Sequence, residues 1–330
     1  MMNLKRIICA FLSALMLCTS TAFASVIPDH CGTDLEQFEV GTKKLGQNVL
    51  KYKDLFKAAG EQFGVDPNIL AAICMQESGG INYDTYADGT DRPAKGIMQI
   101  EYTNEKSFAN FGYDQTGVEW TLDDRLDPEK AIPYAAWLIS EILYRYNNDY
   151  AKTLQAYNFG EYMMNMIIKA KGDDWLEERG NAKSYISGWS YSSYGDKEYI
   201  EHVLRYFHKG SIPYNGAKVK LNGKYLKFSN QYPLVVNNRT LIPIRAISEA
   251  LGAKVSWDGN SACATIKKDG KTIELFIDSE DAYINDEPYV LDVPASLINN
   301  RTMVPIRFVA EALGTEVEWD QDTCTVEIFY

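Results

Sequence analysis

From Asn48 to Phe63 the apolar residues Val49, Tyr52, Leu55, Phe56, Ala59 and Phe63 recur at helical spacing, and Gly64 stands where a helix stops. A second helix begins at once. Asp66 reads as its N-cap and Pro67 as its first residue, where the missing N–H costs nothing. Leu70, Ile73, Cys74 and Glu77 fall at i, i+3, i+4 and i+7, so one face is apolar until its last turn, where it ends in a carboxylate. Asp127-Pro128 repeats the cap-then-proline start and opens a helix toward Tyr146, with Ala135, Leu138, Ile139, Ile142 and Leu143 facing inward and Pro133 expected to bend its first turns. Further helices are expected from Asp149 to Gly160, near 161–170 and over 198–209, the last placing His202 and His208 on one surface.

The segments between these helices lack period. Residues 79–95 read as a loop holding Asp84, Asp88 and Asp91, and residues 181–195, rich in Ser, Tyr and Gly, as another. Gly96-Ile97-Met98-Gln99-Ile100 reads as a short buried strand or turn in which Met98 fills a gap; Gln99 is its odd member, because a buried amide needs partners. Residues 25–44 read as a poorly ordered leader to the mostly α domain of 45–209.

After His208-Lys209-Gly210 the pattern changes. A linker over 210–217 gives way to strand-like sequence over 218–330, in which NNRTLIPIRAISEALGAKVSWD returns as NNRTMVPIRFVAEALGTEVEWD. Trp257 and Trp319 stand 62 residues apart, as do Arg239 and Arg301, so this half is an internal duplication. Each copy reads as a strand, Pro243 or Pro305 at a helix start, an amphipathic helix closed by Gly252 or Gly314, and a strand to the tryptophan. Asp269-Gly270 marks a hairpin, and because the second copy ends at Tyr330 the strands of 218–228 are expected to complete its sheet. The recurring Arg245, Arg307 and tryptophans read as structural, an ion pair and a core aromatic repeated with the fold. The fold class is therefore multidomain: a mostly α domain followed by a duplicated α+β module.

Composition narrows the setting. Lys5 and Arg6 precede an apolar run from Ile7 to Cys18, with Ala22-Phe23-Ala24 as a small-x-small cleavage site, so residues 1–24 read as a signal peptide and the mature chain as secreted, extracellular or attached to the cell wall. The run is shorter than the ~20 residues a membrane span needs. Removing Lys5 and Arg6 from 33 basic residues set against 45 acids takes the formal charge from −12 to −14, which argues against nucleic acid or anionic lipid as a partner. The cysteines that remain, Cys31, Cys74, Cys263 and Cys324, show no CxxC pairing, and His30, His202 and His208 are dispersed, so no metal site is expected.

A carboxylate aimed along an apolar face loses hydration, which raises its pKa and keeps a proton available near neutral pH, as a general acid requires. Three separated segments then match one family: Glu77-Ser78 at a helix end, Gly96-Ile97-Met98-Gln99 after a loop, and Ala156-Tyr157-Asn158-Phe159-Gly160 near a later helix end. In order and spacing they resemble the motifs of soluble lytic transglycosylases and their goose-type lysozyme relatives, over about residues 45–209. The resemblance implies a lysozyme-like domain that cleaves the β-1,4 bond between N-acetylmuramic acid and N-acetylglucosamine in peptidoglycan, without a cofactor. Glu77 would protonate the glycosidic oxygen and, as carboxylate, take the proton of the muramic 6-hydroxyl, leaving a 1,6-anhydro end. It further implies that Ser78 holds the carboxyl or binds sugar, that Met98 and Gln99 line the cleft, and that Tyr157 and Asn158 hydrogen-bond near the N-acetyl sugar.

A hydrolase of the same fold needs a second carboxylate to position water, typically ~6.5–9.5 Å away in an inverting enzyme; Asp91 and Glu101 are the candidates, and the muramidase alternative stays open. The duplicated half is similar to the module named for the N-terminal domain of copper amine oxidases, although no His or Cys cluster here could hold copper. That module is expected to contact the cell wall or act as a spacer. A noncatalytic wall-binding protein is the alternative from another class.

Overall fold

The computed structural model describes residues 32–86, 89, 92–180 and 195–330. The expected signal peptide therefore lies outside the described residues. Between Gln47 and Leu204 the described residues form mainly helices: α1 (Gln47–Leu50), α2 (Lys53–Phe63), α3 (Pro67–Ser78), the two-residue strands β1 (Ala94–Lys95) and β2 (Ile100–Glu101), then α4 (Glu105–Thr116), α5 (Pro128–Arg145), α6 (Tyr150–Phe159), α7 (Glu161–Lys171), α8 (Trp175–Glu178) and α9 (Tyr199–Leu204). The cap that the sequence places at the start of α3 acts as expected, and a glycine closes its end. The Asp66 carboxylate accepts from the Asn68 amide at 2.8 Å, and Gly79 ends the helix with φ 63°. What differs is exposure. Residues 67–74 are all buried, because α3 is enclosed by its neighbours rather than laid on a surface.

Helix α4 was not anticipated. Its Phe108 and Phe111 meet Trp120, Tyr134 and Trp137 in a cluster with ring centroids 4.8–5.7 Å apart, and Gly112 makes room for it: a Cβ there would lie 2.2 Å from the Trp120 ring. Pro133 sits inside α5 without ending the helix. The expected helix over 198–209 closes at Leu204, so His208 stands beyond it and the two histidines do not share a helix surface; His208 Nε2 instead contacts the Lys43 carbonyl at 2.8 Å.

The described part of the leader is not loose. Leu35 is wholly buried, and the Gly41 and Lys43 amides donate to the carbonyls of Leu204 and Arg205 at 3.0 and 2.8 Å, tying this segment to the last helix. An apolar side chain and two backbone donors have found partners that a period count cannot reveal. The linker is likewise fixed. Ile212 is buried, and Asn68 closes on it twice, its Nδ2 donating to the carbonyl at 3.0 Å and its Oδ1 accepting from the amide at 2.8 Å.

The second half has its own core. β3 (Lys218–Leu221) and β4 (Lys224–Tyr225) precede β5 (Leu234–Val236), β6 (Arg239–Pro243), α10 (Ile244–Ala250), β7 (Lys254–Asp258) and β8 (Cys263–Lys268). Then come β9 (Lys271–Phe276), β10 (Asp281–Ile284) and β11 (Glu287–Val290), followed by β12 (Ser296–Ile298), β13 (Arg301–Pro305), α11 (Ile306–Ala312), β14 (Glu316–Asp320) and β15 (Thr325–Phe329). Strands β12 to β14 and α11 repeat the bounds of β5 to β7 and α10 at the 62-residue offset of the sequence repeat. The two sets meet about a local two-fold, since β6 and β13 pair antiparallel with Ile242 opposite Val304. β8 continues through the Asp269-Gly270 turn into β9, whereas β15 is flanked by β3 in parallel, Val326 opposite Val219. Trp257 is 49% exposed and Arg245, among the described residues, pairs with its exposed neighbour Glu249 at 3.8 Å, so neither a buried tryptophan nor a strong ion pair explains the first copy's recurring residues.

Candidate active site

Glu77 occupies the last turn of α3, the helix most deeply enclosed by the domain. The residue keeps some exposure, but its carboxyl is desolvated, and burial raises its pKa from 4.5 to about 7. The buried Tyr199 hydroxyl on α9 donates to Glu77 Oε1, which pulls in the opposite direction, while the charges of Asp196 and Glu101 add to the rise. Tyr199 itself is pushed well above its usual range by burial, so it remains a phenol and a donor. The resulting group is a carboxyl that holds its proton near neutral pH and has, among the described residues, one fixed hydrogen-bond partner.

Ser78 does not hold that carboxyl. Its hydroxyl lies 2.7 Å from the Ile97 carbonyl and 3.2 Å from that of Cys74, and accepts from the Gly80 amide at 3.0 Å. It ties the end of α3 to the turn of residues 96–99. Gly96 is required there, with φ 76°, because a Cβ would lie 2.0 Å from the Arg125 carbonyl oxygen. The buried Arg125 braces the same turn, its Nη1 donating to the Ile100 and Pro93 carbonyls at 2.9 and 3.1 Å. Met98 is wholly buried, so its side chain backs the site rather than lining a surface, and its carbonyl accepts from the Tyr157 hydroxyl at 2.9 Å. Gln99 adopts φ 49° and spends its amide on the Gly96 carbonyl at 2.6 Å.

Asn158 is turned the same way, into the protein. Its Oδ1 accepts from the Asp196 amide at 2.6 Å, and Gln155 Nε2 donates to the Asp196 carbonyl at 2.8 Å. Asp196 in turn accepts from the Glu198 amide at 3.0 Å and meets His202 Nδ1 at 2.6 Å, which fixes the start of α9 and therefore Tyr199. The Ala156–Gly160 segment thus reaches Glu77 through Asp196 and Tyr199. Neither of these was singled out from the sequence, since Tyr199 meets Glu77 across 122 positions and stands beside a stretch rich in other tyrosines.

Of the candidate second carboxylates, Glu101 is exposed on β2 and accepts from Thr103 Oγ1 at 3.2 Å; it is close enough to raise the pKa of Glu77. Asp91 lies outside the described residues. Among the described residues no three His, Cys, Asp or Glu side chains converge so as to hold a metal ion.

Comparison with known proteins places these features. Residues 54–177 match the family described as Transglycosylase SLT domain, and residues 220–328 that described as Copper amine oxidase N-terminal domain. The chain is 28% identical over 179 residues to the bifunctional muramidase/DL-endopeptidase CwlT of Bacillus subtilis, covering 52% of this chain and 45% of that protein. It is 30% identical over 117 residues to a protease inhibitor of Brevibacillus choshinensis, covering 35% of each. The chain thus spans less than half the length of either curated relative. Among solved structures, an NLP/P60-family protein of Staphylococcus aureus aligns with TM-score 0.33 and 21% identity, over 51% of this chain and 55% of that one. An inactive mutant of the lytic transglycosylase Slt of Pseudomonas aeruginosa aligns with TM-score 0.36 and 16% identity, over 54% and 27%. The chain carries a transglycosylase SLT domain followed by a copper amine oxidase N-terminal domain.

Proposed function

We propose that this chain is a secreted peptidoglycan-cleaving enzyme, a lytic transglycosylase in which Glu77 serves as both general acid and general base. The observation that carries the reading is the desolvated Glu77 carboxyl, with a pKa of about 7 and one phenolic donor, at the end of the buried helix of an SLT domain. Protonated, it delivers its proton to the oxygen between N-acetylmuramic acid and N-acetylglucosamine as an oxocarbenium-like transition state forms. As carboxylate it takes the proton of the muramic 6-hydroxyl, which attacks the anomeric carbon and closes a 1,6-anhydro ring. Proton and leaving group are then balanced without water or a cofactor. Tyr199 steadies the carboxylate between the two steps. Gln99 and the turn around it offer the sugar a wall; Ser78, Met98 and Tyr157 support that wall through the contacts described above, and Asn158 fixes the start of α9, which carries Tyr199.

A muramidase reading rests on two observations: the similarity to a protein named as a muramidase, and the exposed Glu101 within electrostatic reach of Glu77. The other carboxylate that Glu77 senses, Asp196, is engaged by His202 and the Glu198 amide, which favours the single-carboxylate route. Residues 25–330 incubated with peptidoglycan are expected to release fragments one water lighter than reducing-end products by mass spectrometry, and Glu77→Gln to release none above background. Reducing ends that disappear in Glu101→Gln would establish the hydrolase instead. Persistent cleavage by Glu77→Gln would reject both. In this reading residues 218–330 keep the enzyme at its polymer, raising local concentration without touching the chemistry.

A further inference from the structure

A cavity of about 530 Å3 lies on the other side of α9, and neither Glu77 nor the turn of residues 96–99 lines it. The leader contributes Phe38 and Glu39, the residue after α8 contributes Arg179, α9 contributes Glu201 and His202, and Arg205 follows at its end. Three charged side chains in this wall each leave a buried polar atom without a partner among the described residues: Arg179 Nη1, Arg205 Nε and Glu201 Oε2. One other polar atom of each is fixed. Arg179 Nη2 pairs with Glu201 Oε1, and Arg205 Nη2 donates to Gln76 Oε1 at 3.1 Å. A buried donor or acceptor left unmatched is costly, more so when charged, so the wall asks for a ligand with an acceptor for two guanidinium N–H groups and a donor for one carboxylate oxygen.

A simple anion answers only half of that demand, and the acids Glu39, Glu177 and Glu201 outnumber the two arginines. The volume falls within the roughly 300–1,000 Å3 of pockets that enclose a drug-sized molecule, more than one amino acid fills. Phe38 and Leu176 supply apolar wall for an aliphatic stem. We propose that this cavity binds a short peptide bearing a free carboxylate, held by Arg179 and Arg205, and a free ammonium, held by Glu201. Peptide side stems of peptidoglycan would supply such a ligand; that attribution rests on the proposed function, whereas the binding chemistry does not.

Calorimetric titration of the full chain with Nα-acetyl-lysyl-D-alanine tests it. Saturable binding is expected, weakened at least about tenfold when the side-chain amine is acetylated or the carboxylate is amidated. Glu201→Gln should erase the preference for the free amine, Arg205→Lys should weaken binding of the free carboxylate, and Glu77→Gln should change neither. Absence of saturable binding, equal binding of the three peptides, or equally tight binding of free lysine overturns the proposal. The peptide series on the unaltered chain decides even where a variant fails to fold. Because no cleavage is read, a negative titration leaves the Glu77 reading standing, and an inactive site leaves the titration meaningful.

Discussion

At pH 7 Glu77 is poised between its two forms, as the proposed role of giving and then taking a proton requires. The alkaline limb of kcat/KM is therefore expected near pH 7. The same shift has a cost in stability. A carboxyl whose folded pKa lies above its unfolded 4.5 contributes fully below pH 4.5 and loses that contribution as pH rises through about 7, by at most about 3 kcal/mol and less after solvent screening. Glu77→Gln should thus melt higher than the unaltered chain at pH 8, with the difference vanishing near pH 4.5; equal melting at both would remove the desolvated carboxyl. Tyr199→Phe deletes the bond that holds the Glu77 pKa down, so the alkaline limb should move to higher pH. A lost hydrogen bond to a charged partner, about 1.5–3 kcal/mol, should lower kcat roughly 10- to 100-fold, and pH–rate profiles read both effects.

Among elements, the site depends on how α3, the turn of residues 96–99 and α9 are pinned together. Ser78 joins the first two and Asp196 with Tyr199 joins the third, each through hydrogen bonds. Gly96→Ala is the sharpest test of the turn. It forces a Cβ to within 2.0 Å of the Arg125 oxygen at a positive φ, so a loss of more than about 1 kcal/mol in stability is expected, together with lower kcat and little change in the far-ultraviolet spectrum. Helix boundaries carried by caps were legible: Gly64, Asp66, Pro67 and Gly160 sit where local rules put them. Helix α4 was not, because its apolar residues serve one aromatic cluster, and Trp120 fills the place that Gly112 leaves. The inward turn of Tyr157 and Asn158 was equally hidden, since local pattern does not reveal what a buried polar atom will bond.

Across the whole molecule the two halves are joined by more than the linker. The Tyr232 amide donates to the Gln62 carbonyl at 2.9 Å, Lys227 reaches Glu141 at 2.7 Å, and the Tyr232 ring covers Gly64, where a Cβ would fall 2.2 Å from it. Gly64 thus serves both as the left-handed stop of α2 and as the seat of the second half. Gly64→Ala should therefore destabilise by more than the roughly 1 kcal/mol of a lost glycine cap and should loosen the junction, which limited proteolysis near 210–217 would detect. Unchanged proteolysis would mean that the ring can move aside.

Local chemistry along the chain determined a good deal: the helix caps, the carboxylate at the tip of α3, the three motif segments, the 62-residue repeat and the use of strands within 218–228 to finish the last sheet. Those features depend on neighbours within a turn or on a period, and such information is written in order. Tertiary structure alone decided that Tyr199 would be the partner of Glu77, that Ser78 and Asn158 would brace the scaffold, that the leader would pack through Leu35, and that Arg179, Glu201 and Arg205 would wall one cavity. Each of these joins residues far apart in the chain. Their partners were selected by which buried donors and acceptors the packed core brought within reach, a condition that exists only after folding.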